Sequence, residues 1–238
     1  MKTRLKQLLY NKIDSGYPFI GSLIRRVYHR KAFDSIKYAV HGRNNNIRHN
    51  NTILSSVIFD IRGNDNKIEI KEGCILNNVT FYIRGNGHTV LINRGCQFNR
   101  GGNIWFEDSH CLLSIGEYST FEDVHLALTE PNSRITIGQD CMFAYDIDVR
   151  TGDSHSIISL ENSERINYAE DVNIGNHVWV AAHCILLKGS AIPDNSVVAT
   201  GSVVTRKYST TGIIIGGNPA NQLKDGITWS RERIYKTG

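Results

Sequence analysis

The chain has 238 residues, of which 40% are hydrophobic and 21% are charged, a composition typical of a folded domain rather than a disordered one. It contains no apolar run of about 18 residues and no signal-peptide pattern, which argues against a membrane span and predicts a cytoplasmic protein. The net charge of +4 is uneven, because residues 1–38 hold nine Lys or Arg against two Asp or Glu and the rest of the chain is acidic.

The first predicted elements are two short helices, over residues 2–13 and 17–37 of the basic N-terminal segment 1–38. This segment either covers the strand edge of the domain that follows, lies on the anionic inner face of a membrane, or guides a polyanionic acceptor. Nucleic-acid binding is not expected, because no base-reading motif accompanies the charge.

A repeat of about 22 residues follows. The phrases "IKEGCI", "INRGCQ", "IGEYST", "IGQDCM" and "IGNHVW" begin at Ile70, Ile92, Ile115, Ile137 and Ile174. Self-similarity at such a period is the signature of a solenoid. The Asn/Gly-rich phrases "RGNDNK" and "RGNGHT" suit its corners, where positive φ is often required.

After Ile174 the period shortens to six, in "IGNHVW VAAHCI LLKGSA IPDNSV VATGSV". Six residues advance an α-helix by about 600°, which would scatter the apolar positions around its axis. A short strand and a corner suit this spacing, and three such units complete a flat-sided coil of about 18 residues. The sequence therefore predicts an all-β solenoid over residues 39–210, followed by a helical C-terminal tail over 211–238.

The cysteines fit the same repeat. Their number is odd, so a disulfide framework is not expected. Four of the five lie four residues after an aliphatic core position: Cys74, Cys96, Cys141 and Cys184. We expect them to be small buried thiols inside the coil rather than redox or metal groups.

The hexapeptide run and the terminal "GGNPA" resemble the left-handed β-helix, hexapeptide-repeat acyltransferases. "SLENSERIN" (159–167) and "ITWSR" (227–231) resemble most closely the polysialic acid O-acetyltransferases that modify bacterial capsular polysaccharides. The resemblance implies a left-handed parallel β-helix, although general crossover chirality favours the right hand. It also implies a homotrimer with coenzyme A sites in grooves between subunits, acetyl-CoA as donor and a polysaccharide or sugar acceptor.

One long interruption breaks the repeat. Ile137 and Ile174 are 37 residues apart where the local period predicts 22, so a loop is expected at about 150–172. Solenoids place such insertions on the functional face. The loop holds His155, and an imidazole is suited to deprotonate a sugar hydroxyl.

In the acyltransferases that the chain resembles, the catalytic histidine lies in such a loop, and His155 is the position that matches. The family's companion carboxylate corresponds best to Asp146, whose alternative is a solvated corner residue; Asp153 reads better as a turn residue. The turn at Ala182 resembles the family turn whose backbone N–H groups face the thioester, so Ala182 is a candidate oxyanion donor.

Trp179 either covers the core or a subunit contact, or walls the acceptor or pantetheine channel, as the matching position suggests in the family. Cationic side chains and backbone donors suit the phosphates of coenzyme A. The further residues predicted to contact the cofactor are His183, Lys188, Gly201, Arg206, Lys207, Asn218 and Pro219. Trp229 either stacks on substrate or anchors the C-terminal helix.

Metal ligation by His177 and His183 is not expected, because a six-residue separation places them on successive corners of the prism. The predicted function is an O-acetyltransferase acting on a bacterial surface polysaccharide, with direct attack by the hydroxyl and no acyl-enzyme. The alternatives are an N-acetyltransferase for an amino-sugar nucleotide and a solenoid scaffold without catalysis.

Overall fold

A computed structural model describes residues 36–236, which form 22 short strands and no helix. All strand pairings are parallel except one, in which the final strand runs antiparallel to the strand before it. Three stacks of strands form the flat sides of a β-helix, which confirms the predicted all-β solenoid. No helix able to span a bilayer is found in this part of the chain.

The three faces follow one another in every coil. The first face contains β2 (Asn46–Arg48), β5 (Lys67–Ile70), β8 (Thr89–Ile92), β10 (Leu112–Ile115), β12 (Arg134–Ile137), β15 (Val172–Ile174) and β18 (Ala191–Ile192). The second contains β3 (Ile53–Ser55), β6 (Ile75–Asn77), β13 (Met142–Phe143), β16 (Trp179–Val180), β19 (Val197–Val198) and β21 (Ile214–Gly217). The third contains β1 (Lys37–His41), β4 (Ile58–Arg62), β7 (Val79–Arg84), β14 (Ile147–Arg150), β17 (Ile185–Leu186) and β20 (Val203–Val204). Two longer strands, β9 (Gln97–Phe106) and β11 (Thr120–Leu128), run from the second face into the third.

We call the bend between the first and second faces corner one, that between the second and third corner two, and that between the third and first corner three. Core side chains stack from coil to coil: Phe121 lies between Phe98 and Phe143, with ring centroids 4.5 and 4.8 Å away. Stacked aromatic rings add to the stabilisation that apolar burial provides. This continuous interior fixes the coils in register and so positions the corners.

The Asn/Gly-rich phrases lie at corner three, as predicted. Gly63 has φ +147, and a Cβ there would overlap the carbonyl oxygen of Gly85 in the next coil. The Asn86 side chain accepts a hydrogen bond from the Asn64 backbone N–H at 2.8 Å. Glycine is therefore required where backbones approach, while the asparagines satisfy the exposed corner amides.

All five cysteines are buried and free, which confirms the prediction for the four repeat positions and extends it to Cys111. The Cys141 thiol donates to the carbonyl oxygen of Gly175 at 3.1 Å, and Ser119 takes the same role in the preceding coil with Gly138 at 2.9 Å. Burial raises the pKa of Cys141 to about 11. These thiols fill the coil and hydrogen-bond its corners.

The C-terminal tail corrects one prediction. Up to Lys236 it contains no helix: β21 turns back at Asn218 and Pro219 into β22 (Ala220–Lys224), which pairs with it antiparallel, and irregular chain follows. At the other end, the first strand begins at Lys37. The two predicted N-terminal helices lie outside the described residues, apart from the last positions of the second, which are not helical.

Candidate active site

The interruption in the repeat is a loop at corner three. It leaves the coil after Arg150 and returns at Val172, and a short hairpin forms within it, where the Ile166 N–H donates to the carbonyl oxygen of Ile157 at 2.9 Å. The coil continues in register across it, since Ile135 pairs with Val172. The loop is therefore an addition to an intact coil.

Asn167 organises the part of this loop that carries His155. Its side chain is buried, and its amide nitrogen donates to the carbonyl oxygen of His155 at 2.8 Å and to the Asp153 carboxylate at 2.9 Å. Its amide oxygen accepts from the Ile157 N–H at 2.7 Å. One side chain thus fixes positions 153, 155 and 157.

Two ion pairs tie the loop to the coil. Arg165 binds Glu130, and Lys188 binds Asp153. Partial burial raises the pKa of Asp153, but hydrogen bonds from Lys188 and Asn167 outweigh it and hold that pKa below its ordinary value. Asp153 is therefore an anchoring residue of the loop.

The His155 side chain is exposed, and its imidazole forms no hydrogen bond within residues 36–236. Asp146 does not lie beside it. Asp146 is at corner two, one coil before His183, and its carboxylate lies 2.6 Å from His183 Nδ1. Within one chain, the predicted companion of His155 therefore orients another histidine.

His177 and His183 form two His–Asp pairs related by the six-residue repeat. Both lie at corners with positive φ, which confirms their predicted corner positions. His177 Nδ1 lies 2.8 Å from Asp140, and its Nε2 donates to the carbonyl oxygen of Trp229 at 3.0 Å. His183 Nε2 makes no hydrogen bond in the described part of the chain, so only the second pair is open.

The C-terminal tail covers the pair of His177 and Asp140. The Trp229 ring stacks on His177 with centroids 4.3 Å apart, and its indole N–H donates to the His177 carbonyl oxygen at 2.7 Å. Arg231 reaches Asp140 at 3.0 Å. We call residues 226–236 the C-terminal strap; it borders a groove on the second face that also contains Trp179.

The other predicted site residues fall into two groups. Corner two holds Ala182, His183 and Gly201, and the Ala182 N–H has no hydrogen-bond partner within residues 36–236. The hairpin turn of Asn218 and Pro219 lies near this corner, since the Gly217 N–H donates to the Ser202 hydroxyl at 3.2 Å.

Corner three holds the cations Lys188, Arg206 and Lys207, beside the loop of His155. Among the described residues, no group of three metal-ligating side chains is found. His155 and the cationic groups therefore share corner three, whereas Asp146, His183 and the turn of Ala182 lie at corner two, across the third face.

Comparison with known proteins decides the family. The polysialic acid O-acetyltransferase of Neisseria meningitidis is 34% identical over 201 residues, covering 84% of this chain and 92% of the relative. The chain belongs to the polysialic acid O-acetyltransferase family. Two crystal structures agree, each with a TM-score of 0.77: the polysialic acid O-acetyltransferase OatWY, 30% identical over 85% of this chain and 94% of its own, and the polySia-specific acetyltransferase NeuO, 27% identical over 86% and 93%. No family model matches the chain.

Membership in the polysialic acid O-acetyltransferase family confirms two predictions. The coil is a left-handed β-helix, and the protein is an acyltransferase. The sequence pattern did not single out Asn167 or Arg231, although each lies in a phrase that carried the resemblance. Arg231 contacts residues 90 to 111 positions away, and the contacts of Asn167 depend on how the loop folds back on itself, so no local motif indicates either residue.

Proposed function

We propose that the protein transfers acetyl from acetyl-CoA to a hydroxyl of a bacterial surface polysaccharide that contains sialic acid, in the cytoplasm, with His155 as general base. The observation that supports this most is the exposed imidazole of His155 on a loop that a buried asparagine holds in place, in a chain of this family.

In the proposed reaction, His155 removes the proton of the acceptor hydroxyl, and the hydroxyl oxygen attacks the carbonyl carbon of the thioester. The new C–O bond forms, the C–S bond breaks, and the proton passes to the coenzyme A thiolate. The unpaired N–H of Ala182 is the proposed donor to the oxyanion between these steps. No metal takes part in this proposal.

We also propose a homotrimer whose sites lie between subunits. His155, Lys188, Arg206 and Lys207 share corner three, while Trp179, Ala182, His183 and Gly201 lie at or near corner two. The loop hairpin exposes Ile157, Leu160 and Ile166, which a neighbouring subunit would cover. Packing corner three of one subunit against the second face of the next would assemble one site from both subunits. Asp146 of one subunit could then orient His155 of the other.

The test compares three proteins: wild type, His155→Ala and His183→Ala. We expect the wild type to release coenzyme A thiol from acetyl-CoA with a sialic acid polymer as acceptor. His155→Ala should lose about 10²- to 10⁴-fold in rate, as general-base removal does, while His183→Ala should remain active. Equal activity in all three proteins would refute the assignment of His155, and selective loss in His183→Ala would move the base to the open His–Asp pair.

Two observations separate the alternatives. An ester product loses its acetyl group in mild alkali, whereas the amide made by an N-acetyltransferase keeps it. A wild-type protein that releases no thiol with any sugar acceptor would favour the scaffold.

A further inference from the structure

A groove of about 530 Å³ crosses several coils on the second face. Trp179 stands at one end and Tyr118 at the other, with Thr120 and Met142 forming the floor between them. Two strand spacings separate the coils of the two aromatic residues, a length of about 10 Å. Such a length fits more than one sugar ring laid end to end.

The two aromatic residues keep part of their surface open, although the Arg94 guanidinium lies 5.6 Å from the Tyr118 ring centroid and the Trp229 ring lies 6.1 Å from that of Trp179. Tyr118 is 51% exposed, and its hydroxyl has no hydrogen-bond partner within residues 36–236. Its ring lies flat over Gly95, where any Cβ would overlap it. The indole N–H of Trp179 is also unpaired in the described chain. Aromatic side chains with a polar tip present an apolar surface together with a hydrogen-bonding group.

The walls of the groove are polar and nearly neutral. Arg231 of the C-terminal strap donates to the Thr120 hydroxyl at 2.9 Å and is paired with Asp140. On the other side, the Asn99 amide donates to Glu122 at 2.9 Å. Amide, hydroxyl and carboxylate groups fixed by one another are suited to sugar hydroxyls. Arg231 and Asp140 neutralise each other and Glu122 is held by a neutral amide, so the lining carries one net negative charge and offers hydroxyls and rings better contacts than it offers an anionic group.

We propose that this groove binds glycosyl units of the acceptor polysaccharide beyond the unit that reacts, with Tyr118 as the distal stacking platform. The proposal rests on the proposed function, since it takes the reacting unit to lie at the Trp179 end. It follows that acceptors of several sugar units bind better than a single sugar, because only they reach Tyr118.

The test compares Tyr118→Ala with Tyr38→Ala. Tyr38 is the control for loss of a half-exposed tyrosine away from the groove: it is 52% exposed and lies on the third face of the first coil. Its ring stacks on Phe59 and its hydroxyl bonds to His49, so the stability of this variant is measured as well. With a sialic acid polymer, Tyr118→Ala should raise the acceptor KM roughly tenfold, the expected size for loss of one stacking contact. Its kcat and its KM for acetyl-CoA should not change, and neither should any constant of Tyr38→Ala.

Two further measurements sharpen the expectation. The ratio of acceptor KM between variant and wild type should be the same at low and high salt, because replacing Tyr118 by alanine changes no charge and salt affects both proteins equally. With a single sialic acid unit as acceptor, Tyr118→Ala should equal the wild type.

Several outcomes would overturn the proposal. An unchanged acceptor KM in a folded, active Tyr118→Ala would do so. A rise confined to the KM for acetyl-CoA would assign the groove to the donor, and a changed oligomeric state would assign it to a subunit contact.

Calorimetry with sialic acid oligomers, without donor, tests the groove separately from catalysis. Weaker binding by Tyr118→Ala would support the groove even if the wild type transferred no acetyl group, a result that would refute only the proposed function. Equal binding by both proteins would refute the groove.

Discussion

At the scale of single residues, Asn167 controls the position of His155. Its side chain is only 6% exposed and makes four hydrogen bonds, which is the full capacity of its two donor protons and two oxygen lone pairs. Its two donors go to the His155 carbonyl oxygen and to Asp153. An aspartate of the same shape has no donor protons, and its carboxylate would face both acceptors.

We therefore expect Asn167→Asp to lower kcat by about 10- to 100-fold through misplacement of His155. The KM for acetyl-CoA should stay near the wild-type value. Steady-state kinetics of the two substrates measures this, with Asn162→Asp as control, because Asn162 lies in the same loop and bonds only to Glu164. A comparable loss in both variants would show that the loop tolerates no added charge and would remove the special role of Asn167.

The spacing of the repeat predicted that His155 lies in a loop, because the interval around it is the one long break in a regular repeat. The spacing did not indicate Asn167, since the hydrogen bonds of its side chain depend on how the loop folds back on itself. Asp146 illustrates the same limit. It lies at corner two, and only the stacking of one coil on the next shows that His183 is the residue beside it.

At the scale of elements, the loop depends on the contact between Asp153 and Lys188. The pKa of Asp153 is lowered in the folded protein, because hydrogen bonds from Lys188 and Asn167 outweigh the effect of burial. A carboxyl with a depressed folded pKa stabilises the structure at pH values above its unfolded pKa of about 3.9, and loses that contribution as pH falls through the folded value.

The loop should therefore stay anchored at neutral pH and loosen in acid, below about pH 4. Hydrogen exchange of residues 151–171 across this range measures the effect. Asp153→Asn should exchange faster than wild type at pH 7 and show a weaker acid dependence there. Identical profiles for the two proteins would mean that the contact of Asp153 with Lys188 does not anchor the loop.

The elements that the sequence predicted well are those governed by the repeat. Periodic aliphatic positions determine which side chains face inward, so the strands and corners follow from spacing. The predicted C-terminal helix was wrong because tertiary contacts decide that segment: Trp229 packs on His177, and Arg231 binds Asp140 from 91 residues away. Such contacts override local preference.

At the scale of the whole molecule, the C-terminal strap joins the end of the chain to coils formed much earlier. Trp229 is 8% exposed and both stacks on and hydrogen-bonds to His177. Removing a buried tryptophan costs about 3–5 kcal/mol. In a solenoid each coil contacts only its neighbours, so this cost should be felt locally rather than throughout the molecule.

We expect Trp229→Ala to lose hydrogen-exchange protection in the coils around β13 and β16, while β4 and β7 keep theirs. The control is Tyr235→Ala, since Tyr235 lies in the same strap and is largely exposed. Uniform loss of protection along the chain would show that the β-helix unfolds as one cooperative unit and that the strap stabilises all of it.

The loop enters and leaves the β-helix at the same corner, and the strands on either side stay paired, with Val149 opposite Leu186 and Ile135 opposite Val172. The loop can therefore change in length without shifting the register of the coils, to which it is joined by the ion pairs of Arg165 with Glu130 and of Asp153 with Lys188. A scaffold of this kind can accept a different loop of about 20 residues at this corner while the strands of the coils stay paired as they are.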